Sequence, residues 1–264
     1  MKFPAAVFQL ALALLLLHGG PASSQGFTGP KVADAKPGDL RIIATAAIRE
    51  PLDAVLAQAQ RVVGRPLVVE YGSARGNLKD EILAGQDFEI ALLLPDVNEE
   101  LLRQGKILPE SHEIARVNVA IGLRGDAPNV DVSTPAALKH AMLNARSVRY
   151  APTGAAILTV KKVLSTLGIA DSIKDSSRER TRVELAPGEY ELNLYPVSEI
   201  IPNKALKNLG PVTAELQVPV IISAVIGKHA NDERAARALV EFLQGPALDR
   251  PLEADGMMKG EPAG

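Results

Sequence analysis

Short apolar runs alternate along the chain with longer stretches in which apolar residues recur every three or four positions. The first pattern is typical of buried strands and the second of amphipathic helices. The patterns predict strands at 40–44, 67–71, 88–94, 117–123, 147–151, 192–195 and 218–227, and helices at 51–63, 78–84, 98–105, 136–145, 157–167 and 232–243. Strands that alternate with helices at this spacing predict an α/β fold of mostly parallel sheets with helices on both faces.

Four strand-to-helix turns have a similar composition of small residues, hydroxyls and one or two charges. We number them in chain order: the first turn is 45–49, the second 73–77, the third 152–156 and the fourth 195–199. The N-terminus of a helix attracts anions, and open parallel sheets bind ligands at the carboxyl ends of their strands. A cleft between two lobes would therefore gather the four turns around one small anion.

Residues in these turns are the candidate ligand-binding groups. They are Thr45, Ala47, Arg49, Ser73, Arg75, Thr153, Gly154 and Tyr195, with Glu199 and Tyr195 as the candidates for proton transfer. Each has a structural alternative: the arginines could be solvated charges, Tyr195 a packing residue, Thr153 a helix cap, and Glu199 a partner of Ser198 in a capping pair. The sequence alone leaves these alternatives open.

Composition restricts the type of ligand. The 264 residues are 47% hydrophobic, which is enough for a sizeable core, and the net charge of −2 gives no bulk attraction to nucleic acid. Aromatic residues make up only 3% and Trp is absent, which argues against sugar-binding or base-stacking surfaces. His112 and His140 lack metal-ligand spacing, so we expect no metal and no cofactor.

The first 24 residues have the three parts of a secretory signal peptide: Lys2, an apolar run at 5–17, and small residues after Pro21. The run is too short for a membrane anchor, and the chain has no Cys for lipid attachment or disulfides. We therefore expect a periplasmic protein without a membrane anchor.

Several segments together resemble the family of periplasmic solute-binding proteins similar to the molybdate-binding protein of ABC transporters. They are IIATAAIREPLDAV, EYGSARGNLKDEILAG, VNVAIGLRGDAPNVDVSTPAALKHAML, VKKVLSTLGI with LYPVSEIIP, and ARALVEFLQGP. The resemblance covers about 39–256 and implies the two-lobed type 2 periplasmic-binding-protein fold with a ligand cleft between the lobes. It also implies membrane subunits of an ABC transporter as partners.

The departures from this family pattern concern the ligand. In molybdate binders the first turn resembles AAASL, whereas here Ala47 stands at the position of the serine and Arg49 follows. The second turn keeps only Ser73 and carries Arg75. Paired guanidinium N–H groups match planar carboxylates, so the resemblance shifts to a branch that looks like organic-acid binders and includes members resembling aconitate isomerase.

The sequence thus predicts a monomeric periplasmic solute-binding protein that closes on a di- or tricarboxylate such as aconitate. Lobe 1 would comprise 39–116 plus 220–264, and lobe 2 would comprise 117–219. The alternative is an aconitate isomerase that moves an allylic proton in the same cleft, with Glu199 or Tyr195 as the base.

Overall fold

The computed structural model describes residues 29–126, 130–173, 177–178 and 183–261. The predicted signal peptide, residues 1–24, lies outside these residues. Within the described ranges, no helix is both long enough and apolar enough to cross a membrane.

Two β-sheets organise the described chain. The first has six strands: β1 (Leu40–Thr45), β2 (Leu67–Gly72), β3 (Ile90–Leu93), β4 (Ile107–Val117), β10 (Val220–Gly227) and β11 (Met257–Lys259). The second has five: β5 (Val119–Gly125), β6 (Ser147–Arg149), β7 (Ser177–Arg178), β8 (Tyr190–Pro196) and β9 (Lys207–Pro211). We call the part built on the six-stranded sheet lobe 1 and the part built on the five-stranded sheet lobe 2.

Eight α-helices accompany these sheets in the described residues. They are α1 (Arg49–Val63), α2 (Lys79–Leu83), α3 (Pro95–Arg103), α4 (Pro135–Asn144), α5 (Ile157–Leu167), α6 (Val197–Ile200), α7 (Glu233–Gln244) and α8 (Asp249–Ala254). A π-helical turn, Ala74–Leu78, precedes α2. Their ends follow local chemistry: Gly64 ends α1 in the left-handed region at φ 68°, and the Thr134 hydroxyl accepts a hydrogen bond from Ala137 N at the start of α4.

Strand order explains the burial pattern. The six-stranded sheet runs β11-β4-β10-β3-β1-β2, and the five-stranded sheet runs β7-β6-β8-β5-β9. β1 and β3 lie inside the first sheet, so Ile42, Ile43, Ile90 and Leu92 are fully buried. A strand with both faces covered has a continuous apolar sequence, which is why the apolar runs at 40–44 and 88–94 predicted these strands.

The predicted α/β fold is confirmed, but the sheets are mixed rather than mostly parallel. β1 pairs in parallel with β2 and β3, and β6 pairs in parallel with β7 and β8. β10 is antiparallel to both β3 and β4, and β5 is antiparallel to β8 and β9. β4 and β10 are antiparallel because the chain leaves the first sheet along β4 and returns to it along β10, and β5 and β9 have the same relation in the second sheet. β11 is also antiparallel to β4.

Two predictions need correction, one of a strand and one of a helix. The prediction of one strand at 117–123 missed β4, which ends at Val117, and the helix predicted at 98–105 begins three residues earlier at Pro95. β4 escaped detection because its middle is exposed around Glu110 and Ser111, so neither an apolar run nor regular alternation marks it. Proline suits the first position of a helix, where its missing N–H costs nothing.

The chain crosses between the sheets twice in the described residues, and one side chain links the crossings. The first crossing is at Asn118, between β4 and β5. The second is the segment 212–219, which connects β9 of the second sheet to β10 of the first. The Gln217 amide donates to the carbonyl oxygens of Val119 (2.6 Å) and Val212 (3.1 Å), and it accepts a hydrogen bond from Val119 N (3.2 Å). Gln217 thus ties the second crossing to the start of β5, directly after the first crossing.

Candidate functional site

All four turns meet at one cleft between the sheets. The first and second turns follow β1 and β2 of lobe 1, and the third and fourth follow β6 and β8 of lobe 2. The lining residues are Thr45, Ala46, Gly72, Ser73, Ala151, Gly154, Ala155, Ala156, Tyr195, Pro196 and Glu199. The structure thus brings together five of the predicted site residues: Thr45, Ser73, Gly154, Tyr195 and Glu199.

The cleft is narrow in this structure. Its volume is about 30 Å³, whereas pockets for drug-sized ligands are typically about 300–1,000 Å³. The lobes therefore lie close together at the cleft, and we call this the closed arrangement.

Hydrogen bonds between the second and third turns join the lobes directly. The Ser73 hydroxyl donates to the carbonyl oxygen of Thr153 at 2.7 Å, and the hydroxyl oxygens of the two residues are 2.9 Å apart. Arg75 N donates to the same Thr153 carbonyl at 3.2 Å. Ser73 is 8% exposed and lines the cleft, so one hydroxyl lies where it can face either the other lobe or a ligand.

A close backbone approach accompanies these bonds. Gly76 lies against the third turn so tightly that a Cβ added there would be 2.9 Å from Thr153 Oγ1 and 3.2 Å from Ser73 Oγ. Threonine is branched at Cβ and its hydroxyl cannot swing far. A side chain at position 76 would therefore separate the second turn from the third.

The first and fourth turns make the matching contact on the other side of the cleft. The Ser198 hydroxyl, which is buried, donates to the Ala47 carbonyl oxygen at 2.7 Å. Ala47 is 1% exposed and the cleft lining contains Ala46 in its place. The backbone of Ala47 thus holds the lobes together, and a direct ligand contact by its side chain stays a prediction.

The structure places Arg75 beside the cleft and not in its lining. Its Nε and Nη2 donate to the two oxygens of Asp96 at 2.7 and 2.9 Å, and its Nη1 donates to the Gly154 carbonyl oxygen at 3.0 Å. This guanidinium joins α3 to the third turn. Sequence reasoning missed Asp96, because nothing in a helix-start motif shows which distant arginine it faces.

Arg49 points to a different surface. Its guanidinium lies 4.4 Å from the centre of the Tyr71 ring, a cation–π contact, and Tyr71 donates to Asp53 at 2.6 Å. Burial first, and then the bond to Asp53, raise the pKa of Tyr71, so its phenol is neutral. Arg49 lines a groove of about 250 Å³ that includes Lys31 and Glu70, and its role as a cleft ligand stays a prediction.

The fourth turn contributes the two candidates for proton transfer. Tyr195 and Glu199 both line the cleft, and Glu199 lies in the first turn of α6. They share that lining with the Ser73 hydroxyl and with Thr45, which is 2% exposed. The cleft therefore combines hydroxyl groups, which can donate hydrogen bonds to an anion, with one acidic side chain and one phenol.

A family model described as bacterial extracellular solute-binding protein matches residues 40–258. The match spans most of the chain, and the protein belongs to this family. The fold and the resemblance seen in the sequence are confirmed by it. The family is described as extracellular, which agrees with a location outside the cytoplasmic membrane; the periplasm itself stays a prediction.

Individual relatives bind or convert anions. The molybdate-binding protein ModA of Azotobacter vinelandii is 25% identical over 234 residues, which are 84% of this chain and 90% of the relative. An aconitate isomerase of Pseudomonas sp is 20% identical over 227 residues, which are 83% of this chain and 87% of the relative.

Solved structures show the same fold. The periplasmic molybdate-binding protein of Azotobacter vinelandii superposes with a TM-score of 0.67 at 18% identity, covering 84% of this chain and all of that one. The sulfate-binding protein SubI of Mycobacterium tuberculosis superposes with a TM-score of 0.65 at 12% identity, covering 86% of this chain and 87% of that one. These likenesses establish the two-lobed architecture.

The close approach at Gly76 generates a first prediction. Gly76→Ala should separate the second and third turns, so the ligand-free protein should show a larger radius of gyration in small-angle X-ray scattering. Thermal stability should change little, because the substitution leaves the buried hydrophobic residues of both sheets in place. Gly29→Ala is the control, since a Cβ at position 29 meets nothing within 4 Å. An unchanged radius of gyration in Gly76→Ala would show that this contact does not hold the lobes together.

Proposed function

We propose that the protein is a periplasmic receptor that closes on a small organic carboxylate, a di- or tricarboxylate such as aconitate, for uptake. The observation that carries the proposal is the composition of the cleft, in which Ser73 and Thr45 lie together with Glu199. The hydroxyls suit carboxylate oxygens, which accept hydrogen bonds. The acidic side chain then distinguishes between kinds of anion.

Glu199 disfavours a fully ionised tetrahedral oxyanion. Two like charges within a few ångströms repel each other, and the repulsion grows as water is excluded from a closed cleft. An organic acid that carries a hydroxyl or keeps one carboxyl group protonated differs, because it can donate a hydrogen bond to Glu199 while an ionised carboxylate faces Ser73. Aconitate has no hydroxyl, so it would meet this condition by taking up a proton on one carboxylate in the cleft. The presence of Ala47 at the position of the family's serine supports the same choice, because it removes a hydroxyl donor for an oxyanion.

Closure would proceed by a hinge motion of the lobes. With lobe 1 at 39–116 plus 220–264 and lobe 2 at 117–219, the hinge lies at Asn118 and at 212–219, where Gln217 links the crossings. Hinge closure around a ligand is the usual motion of periplasmic binding proteins. The closed monomer would then present its ligand to the membrane subunits of an ABC transporter.

A ligand screen tests the proposal. Purified protein should be stabilised by a di- or tricarboxylate, and a ligand at about 100 times its Kd raises the free energy of unfolding by about 2.7 kcal/mol. Molybdate, tungstate and sulfate should give no comparable shift. Thermal shift followed by isothermal titration calorimetry measures the binding of the carboxylates and of the oxyanions. A micromolar Kd for molybdate with no carboxylate binding would overturn the choice of ligand.

The position of Glu199 and Tyr195 favours a second candidate, an isomerase of aconitate. One base would remove the allylic proton of trans-aconitate, the double bond would shift by one carbon, and the same proton or a solvent proton would return to the far carbon. A base must lie within hydrogen-bond reach of that carbon. A carboxylate in a closed cleft suits the role, because burial can raise its pKa, whereas a tyrosine needs a large decrease in its pKa.

Conversion of trans-aconitate to cis-aconitate, followed by chromatography, tests this second candidate. Glu199→Gln should retain binding and lose turnover by at least about 100-fold if Glu199 is the base, because the amide keeps the shape and cannot accept the proton. Tyr195→Phe is the corresponding test of Tyr195 as the base, because it removes the phenol oxygen and keeps the ring. Binding of trans-aconitate by the wild-type protein without any conversion over hours would exclude the isomerase and leave the receptor.

A further inference from the structure

Asp96 presents a carboxylate to Arg75 in the geometry that a bound carboxylate would adopt. Its two oxygens accept from Nε and Nη2 at 2.7 and 2.9 Å, so one whole edge of the guanidinium is occupied. The Arg75 side chain is 16% exposed and the Asp96 side chain 50%. Such paired, parallel bonds are the strong form of the arginine–carboxylate interaction.

The guanidinium lies next to the ligand cleft. Nη1 donates to the carbonyl oxygen of Gly154, a residue of the cleft lining. Ser73, two residues before Arg75, lines the same cleft. The Arg75 guanidinium therefore lies at the edge of this cleft. It can bind a ligand carboxylate through Nε and Nη2 only by leaving Asp96.

We propose that Asp96 is a positioning residue that sets the anion selectivity of the cleft, by acting as a built-in carboxylate partner for Arg75. This inference rests on the proposed carboxylate-binding function. While Asp96 holds Arg75, the carboxylate of Asp96 compensates the positive charge of the guanidinium. The cleft then binds its ligand through hydroxyls and backbone groups. A ligand with an additional carboxylate must compete with Asp96 for Arg75, which limits the advantage of polycarboxylates over monocarboxylates.

The chain offers a matched control on the same helix. Glu100 of α3 pairs with Lys79 of α2 at 3.2 Å, so it also joins α3 to the segment that follows the second turn. Glu100→Gln removes the same charge from α3 as Asp96→Asn and leaves Arg75 and its partner intact. A difference between the two variants therefore reports the contact with Arg75 and not the loss of one negative charge.

The first measurement needs no ligand. Phenylglyoxal modifies accessible guanidinium groups, and peptide mass spectrometry identifies the modified arginine. Arg75 should react at least about fivefold faster in Asp96→Asn and Asp96→Ala than in the wild-type protein or Glu100→Gln, because its occupied edge becomes available. Equal rates in all four proteins would show that Asp96 does not hold Arg75, whatever ligand the cleft binds.

The second measurement is calorimetric titration with trans-aconitate and, as the monocarboxylate, acetate. Asp96→Asn should tighten trans-aconitate binding about tenfold and leave acetate nearly unchanged, and added salt should reduce the gain. A merely structural role predicts weaker binding in Asp96→Asn, and weaker or unchanged binding overturns the proposal. If the wild type binds no carboxylate and Asp96→Asn does, the selectivity role stands and the proposed function of the wild type fails.

Discussion

The contact between Ser73 and Thr153 is the interaction on which the closed arrangement depends. It joins the carboxyl end of β2 in one sheet to the turn after β6 in the other, and it uses hydroxyl groups at the edge of the ligand cleft. Neighbouring residues allow the second and third turns to lie this close together. Gly76 has no side chain to separate them, and Arg75 donates hydrogen bonds to the third turn from its backbone and its side chain. Other contacts between the lobes accompany it: the Ser198 hydroxyl donates to the Ala47 carbonyl oxygen, and Gly256 lies against Val197.

The hydroxyl of Ser73 therefore has two possible partners, the other lobe and a ligand. A net hydrogen bond contributes only about 0.5–1.5 kcal/mol, so a ligand that offers charged oxygens can replace Thr153 without a large cost. The same reasoning applies to Arg75, whose partner Asp96 already has the chemistry of a carboxylate ligand. Ser73 and Arg75 thus both have partners within the protein that a carboxylate ligand could replace.

Sequence patterns predicted the buried units of lobe 1 and the four turns because both are local features. Apolar runs mark β1 and β3, and small residues with hydroxyls mark the turns. β4 and β9 were missed because their pairing partners are distant in sequence and their surfaces are largely polar, as Glu110 and Lys207 show. The mixed character of the sheets could not be predicted for the same reason, since strand direction depends on where the chain crosses between lobes.

The direction in which each side chain points was the second feature that the sequence could not predict. Arg49 and Arg75 both follow a strand end, yet Arg49 stacks on Tyr71 outside the cleft and Arg75 binds Asp96 beside it. The residue type fixes the charge of a turn, whereas the neighbours in the folded chain decide where that charge is presented. The position of Glu199 could be predicted from the sequence, because the short helix α6 begins directly at the end of β8. Its first turn places Glu199 in the cleft lining.

A crystal structure of the protein grown with trans-aconitate tests the central claim most directly. The account predicts a carboxylate of the ligand within hydrogen-bond distance of Ser73 Oγ, between the first and third turns, with the Ser73–Thr153 contact broken or lengthened. Density for the ligand in the groove beside Arg49 and Tyr71, with the Ser73–Thr153 contact intact and the cleft still closed, would contradict the account.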